Sequence, residues 1–315
     1  MFLTQRWLAV SALLLTVARL SAADPYDQSG VPLEVTNPDP NLARVVLLAG
    51  SPSNKTGQHE YFAGCALFMD WLRQSPGVDP VMARDGWPKN EKILEGARTV
   101  VCFMDGGGKQ PFLEPARMKR LQALMDDGVG LVMLHQAVDY PNGPDTAVQS
   151  WLGAVWRFDI GSRGHWDMEF SRFPDHPVVR GVKPFAAPGD GWLYNLHFAP
   201  DMKGVTPLLT GQVPDKSRTT PDAKSHNGRA EIIAWAYERA NGGRSVGFTG
   251  CDLHKHWEIE SQRRFVINSI LWTAKLPVPE GGAPVKFDPA SLNRNLDDKR
   301  TTIAAPAKKN AIPGN

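Results

Sequence analysis

Gly128-Val129-Gly130-Leu131-Val132-Met133-Leu134-His135 decides the fold. Gly130 to Leu134 is a short, wholly apolar run with a glycine stop before it and a histidine directly after it. A strand that is apolar on both sides must be covered on both faces, as in a parallel sheet. The stretch before it, Glu114 to Asp127, predicts a helix with Pro115 in its first turn and Gly128 as its stop. Working toward the N-terminus, strands are expected at Thr99–Met104, Val78–Ala83 and Arg44–Leu48. Helices are expected between them at Asn90–Ala97 and His59–Gln74, the second with Phe62, Cys65, Met69 and Leu72 on one face. Toward the C-terminus, Glu231–Tyr237 and Arg244–Thr249 read as strands joined by an Asn241-Gly242-Gly243 turn. Glu258–Lys275 then reads as a long helix. Strands alternating with helices imply an α/β fold with a mostly parallel sheet, whose chemistry lies at the carboxyl ends of its strands.

The remaining segments are less regular. Residues 24–43 read as an N-terminal strap, and 151–228, rich in Trp, Gly, Pro and His, show no clear periodicity. Residues 277–315 read as a C-terminal extension with a disordered end. Residues 1–23 read as a signal peptide: Arg6, an apolar stretch from Trp7 to Ala18, then a Ser21-Ala22-Ala23 cleavage site. The expected location is therefore exported, periplasmic or extracellular, and not integral to a membrane after cleavage. Loss of Arg6 and Arg19 leaves equal numbers of basic and acidic residues, which argues against nucleic acid as a partner. Three scattered cysteines make no disulfide framework. The Asn54-Lys55-Thr56 sequon is too short and common to weigh.

Of the eight histidines, His59, His135 and His254 follow expected strand ends and would converge on one crevice. Histidines brought together with carboxylates such as Glu60, Asp139, Asp190, Asp252 or Glu258 suit a divalent metal site (Zn or Mn) or acid–base catalysis. His254-Lys255-His256, if strand-like, would point both imidazoles one way. Each histidine alone is as well explained as a surface or hydrogen-bonding residue. Asp105-Gly106-Gly107-Gly108-Lys109 lacks the Walker and G-x-G-x-x-G spacings, so no nucleotide cofactor is expected. The position where a strand-to-helix elbow would carry a nucleophile holds His135, not Cys or Ser, and G-x-S-x-G is absent. Most of the ten Trp residues should fill core, though Trp166 or Trp192, if solvent-facing, could stack on a sugar.

Several motifs fall in one order along residues 44–275. They are Val46–Gly50 followed by His59-Glu60, the Gly128–His135 stretch, Phe173-Pro174-Asp175-His176-Pro177-Val178, Gly243–Gly250 and Phe265–Ala274. In that order the chain resembles the ThuA-like (trehalose-utilisation) family of the class I glutamine amidotransferase-like superfamily. The resemblance implies a flavodoxin-like three-layer sandwich over residues 44–276. It also implies an enzyme of carbohydrate catabolism acting on 3-keto-glycosides or related sugar derivatives, with His135, His59 and Asp190 as catalytic candidates. Glu60, Trp166, Trp192, Tyr194 and Asn195 are the candidates for holding a small sugar ligand. His59, His135 and His254 are the candidate metal ligands. A homo-oligomer stays open, as does the rival reading of a non-catalytic carbohydrate-binding accessory protein. Two departures stand out. Cys251-Asp252 replaces the G-H pair of many members, and a single acid, Asp190, stands where members often show two.

Overall fold

In a computed structural model, which describes residues 24–37 and 39–299, the expected α/β sheet forms. Along the chain come β1 (Ala43–Ala49), α1 (Tyr61–Leu72), β2 (Val78–Ala83), β3 (Ala97–Phe103), α2 (Pro115–Asp126), β4 (Gly130–Leu134) and α3 (Asp145–Leu152). Then follow β5 (Ala154–Val155), β6 (Ser162–Phe170), β7 (Phe185–Tyr194), β8 (His197–Phe198), β9 (Val205–Gly211), α4 (Pro221–Lys224), β10 (Glu231–Glu238), β11 (Arg244–Phe248) and α5 (Glu260–Thr273). Seven strands make the main sheet in the order β2-β1-β3-β4-β11-β10-β9. The first five run parallel, and β10 is antiparallel to both neighbours.

The three layers follow from the strand pleat. In β1, Val45, Leu47 and Ala49 face one core with the apolar sides of α1 and α5, while Val46 and Leu48 face a second core with α2 and α3. Both faces are apolar because both are covered. Leu33 bridges to Met82, and Glu34 N–H bonds the Met82 carbonyl, so the N-terminal strap lies on the edge strand β2.

Three local expectations are corrected. Asn90–Ala97 holds only a short 3₁₀ turn, Glu91–Leu94, because the chain must be extended again by Ala97 to pair in β3. The region 151–228 is more regular than its sequence pattern: β6 and β7 form a long antiparallel ribbon. Its inward positions run Ser162, Gly164, Trp166, Met168 and Phe170, so hydropathy alternates only over the five residues from Trp166 to Phe170. His254–Glu258 is a 3₁₀ turn, not a strand, and the two histidines diverge. The described part of the C-terminal extension, 277–299, is packed down, burying Val278, Ala283, Val285 and Leu292. No helix among the described residues is long and apolar enough to cross a membrane. The expected signal peptide, 1–23, lies outside the described residues, as do residues 300–315.

Candidate metal centre

The carboxyl ends of β1, β3, β4 and β11 deliver one residue each to a single point. His59 comes from the loop after β1, Asp105 follows β3, His135 follows β4 directly, and Asp252 lies just beyond β11. His59 Nε2, His135 Nε2 and Asp252 Oδ1 are mutually 3.1, 3.2 and 3.7 Å apart, and all three residues are buried. His59 (φ 49°), His135 (φ 56°) and Cys251 (φ 78°), which precedes Asp252, sit in the left-handed region. For residues other than Gly that costs of order 1–3 kcal/mol each and survives only where the surroundings impose it. Here the two outer loops impose it on each other: His59 N–H bonds the Asp252 carbonyl at 3.1 Å, and His254 N–H bonds that of Gly57 at 2.9 Å.

The neighbours set the proton positions. His135 Nδ1 lies 3.1 Å from the Thr249 carbonyl, which only accepts, so Nδ1 carries the hydrogen. His59 Nδ1 lies 2.9 Å from Asp105 Oδ1, which also accepts from Tyr61 Oη and Ser53 Oγ. Burial opposes the charge on Asp105, but these hydrogen bonds outweigh it and hold the carboxyl well below its ordinary range. His59 Nδ1 is therefore a donor too. In their neutral forms both imidazoles then aim an Nε2 lone pair at the same point as Asp252 Oδ1, which has no hydrogen-bond donor aimed at it. The carboxylate's other oxygen, Oδ2, accepts from Gln58 Nε2 (2.9 Å) and His165 Nε2 (2.8 Å).

Three converging lone pairs repel one another unless a positive charge lies among them. Without a metal, a proton on His59 can supply that charge: burial disfavours charged His59, yet Asp105 and Asp252 outweigh it and raise its pKa. Burial, and then the nearby His59, push His135 down to about 4, so of the two imidazoles His59 takes up a proton more readily. A divalent cation fits the same place. Tetrahedral N and O ligands at ordinary bond lengths lie roughly 3.3–3.6 Å apart, close to the observed spacing. Both imidazoles already have the outer partner, a carboxylate or a carbonyl, that metal-ligating histidines use to fix the ring. A cavity of about 370 Å³ opens beside the three donors and reaches Arg163, His165 and Trp192. Three protein ligands with open space in front are the arrangement of catalytic metal sites. Asp105→Asn is expected to weaken metal binding about 10- to 100-fold without unfolding the protein. Competition titration against a chelator checks this.

The other expected site residues are placed elsewhere. His254 is not among the donors: its Nε2 lies 3.2 Å from the Leu292 carbonyl, and burial lowers its pKa to about 4. Asp190 is fully buried and accepts from Cys251 N and Leu253 N, bracing the turn that presents Asp252. Glu60 is buried in an ion pair with Lys299. Trp192 is buried with its Nε1 bonded to the Trp166 carbonyl, and Trp166 is half-buried edge-on to Tyr194. Tyr194 Oη meets Ser217, and Asn195 bonds Ile160, Asp222 and Arg229. Asp105 and Asp252 were within reach of the strand-end rule. Gln58 and His165 were not, because only the folded ribbon brings His165 to the sheet.

Fold and site together define a doubly covered α/β protein carrying a buried His-His-Asp group at the carboxyl edge of its sheet. The family model for ThuA, trehalose utilisation, matches residues 46–273, and the chain belongs to that family. Among solved structures it is similar to a putative ThuA-like protein from Bacteroides uniformis (15% identity, TM-score 0.52, covering 78% of this chain and 95% of that one). A second, from Parabacteroides merdae, matches at 14% identity and TM-score 0.50, covering 80% and 99%. Likeness at this level speaks for the fold. No curated protein sequence matches the chain.

Proposed function

We propose that this ThuA-family protein is an exported enzyme of carbohydrate catabolism that uses a divalent metal, held by His59, His135 and Asp252, to act on keto-glycosides or related sugar derivatives. The convergence of three lone pairs carries the reading, since the group asks for a cation and faces open space. Export is supported by the apolar segment Trp7–Ala18 with its small-residue cleavage site.

A bound divalent metal supplies polarisation of a substrate carbonyl, which acidifies the neighbouring C–H. The protein's own groups do the rest. Asp105 and the Thr249 carbonyl hold the two imidazoles, while Gln58 and His165 hold Asp252 by its outer oxygen. A second cavity of about 480 Å³ shares His59, Gln136 and Arg163 with the first and adds Asp139 and Lys109. Asp139 is buried, and that burial, only partly offset by Arg163, raises its carboxyl to about 7. A carboxyl titrating near neutrality can take a proton and return it within one turnover. Asp139 is the group placed to remove the acidified proton, with Arg163 available to a substrate oxygen.

The pH sign follows. Ionised Asp139 is the base, so kcat/KM is expected to rise through about pH 7. Asp139→Asn should remove that limb and lower the rate about 10²- to 10⁴-fold. For stability the sign is opposite. A folded-state pKa above the unfolded value stabilises at acid pH and is lost as pH rises through about 7.

Elemental analysis of the purified protein beside His59→Ala and His135→Ala tests the reading. Near-stoichiometric metal, lost in both variants, supports it and directs a screen of 3-keto-glycosides. Absence of metal after reconstitution overturns it and leaves a carbohydrate-binding accessory protein as the rival.

A further inference from the structure

The chain's last described residues close on the site. Lys299 is fully buried, 240 positions from His59, yet its Nζ donates to the carbonyls of Gln58 and His59, the latter at 3.2 Å. The Lys55 carbonyl lies at 3.5 Å, and Glu60 Oε1 completes the surroundings at 3.2 Å with neither side chain exposed. Glu60 in turn accepts from Gly57 N at 2.8 Å and from Asp297 N at 2.9 Å. The N-terminal strap secures the tail from behind: Gln28 Nε2 bonds the carbonyls of Asn295 and Leu296 and Asp297 Oδ1, and Leu296 N–H bonds the Pro25 carbonyl.

The Lys299 and Glu60 contacts fall on 55–60, a loop without helix or strand that carries His59 in a left-handed conformation, and the Gln28 and Pro25 contacts hold the tail against it. Removing the ammonium takes a donor from the Gln58 and His59 carbonyls and leaves the buried Glu60 carboxylate without its counter-charge, which is costly where water cannot replace it. The polar partners of Lys299 named above all lie in 55–60, outside the strands of the sheet.

We propose that Lys299 is a positioning residue of the metal centre, and that Asn295–Lys299 is a clasp that sets the His59 loop. The proposal rests on the reading of His59 as a metal ligand. It means that residues 25–28 and 295–299, none of them among the three donors, decide how tightly the metal is held.

The test uses the full mature chain and zinc as the probe. Lys299→Met keeps the aliphatic stem and removes the charge. Its zinc affinity is expected to fall 10- to 100-fold, with a changed visible spectrum for the cobalt-substituted protein. Amide exchange should rise in 55–60 while β1, β3 and β4 keep their protection. Glu60→Gln, which retains the shape of the acceptor, should shift both readouts the same way by less, and it serves if Lys299→Met does not fold. Propylammonium, which matches the atoms lost, should partly restore zinc affinity to Lys299→Ala. Glu280→Ala, at the exposed far end of the extension, should match wild type. Wild-type zinc affinity in Lys299→Met overturns the clasp, as does a loss that appears only with exchange rising across the whole sheet. If the wild-type protein binds no zinc, the metal reading fails by itself. The clasp then stands or falls on whether exchange rises selectively in 55–60.

Discussion

Asp252→Asn is expected to lower metal affinity at least a hundredfold, about 2.7 kcal/mol, and to destabilise the metal-free protein, which loses a carboxylate that pairs with His59. The two halves come from one geometry. Asp252 is the anionic member of the donor group, and its Oδ1 faces two imidazole lone pairs with no donor aimed at it. An amide can turn its NH₂ toward His59 Nε2 and His135 Nε2 and leave its oxygen to accept from Gln58 and His165, where Oδ2 does so now. That geometry limits the loss of stability without replacing the charge. The same change removes one of the two carboxylates that raise the His59 pKa, so His59 should titrate lower. Binding should also lose its proton cost: wild type, with His59 protonated, releases a proton as the metal enters, most clearly at mildly acid pH. Calorimetry in two buffers of different ionisation enthalpy reads the proton, and thermal melting of the chelated proteins reads the stability. Affinity within threefold of wild type would sink the assignment of Asp252 as a ligand.

Trp257→Ala is expected to cost about 3–5 kcal/mol of stability and to leave the metal centre's chemistry in place. Trp257 follows the 3₁₀ turn's histidines yet points into the core, 1% exposed. Its ring lies edge-on to Phe68 at 4.9 Å and to Phe103 at 6.2 Å, with Trp71 tilted at 6.0 Å. It thus joins α1 to β3, and its removal opens a cavity that α1, already close-packed on the sheet, cannot fill. Urea unfolding should show a lower midpoint with an unchanged slope. Metal affinity of the folded protein should change less than tenfold, because no donor or donor partner touches the ring. A loss under about 1 kcal/mol would mean that helix and sheet repack without it.

The central sheet was legible because its strands are short, apolar and separated by helix signals. The Gly130–Leu134 and Val78–Ala83 strands match the expected bounds residue for residue. The antiparallel β10–β11 pair was legible from its Asn-Gly-Gly turn. The β6–β7 ribbon was not read, because the alternation of Trp166, Met168 and Phe170 with Asp167 and Glu169 spans only five residues and continues through Ser162 and Gly164 without apolar side chains. His59 and His135 were found by their places after strands. His254 misled because it sits only two residues from Asp252, and sequence distance does not say which of two neighbours a turn presents. Asp190's two hydrogen bonds to the backbone around Asp252 settle that in space.

The amino-acid sequence by itself determined the order of elements, the family, and the edge of the sheet at which chemistry gathers, since hydropathy period and turn residues act locally along the chain. It took the folded structure to bring Asp252 to the two histidines, to fix the hydrogen-bond partners of their rings and to put Lys299 against the His59 loop. Each depends on groups far apart in the chain meeting within about 3 Å: His135 with Thr249, His59 with Asp105, and the His59 loop with the chain's far end. Hydrogen-bond direction and burial are properties of such meetings, and no periodicity records them.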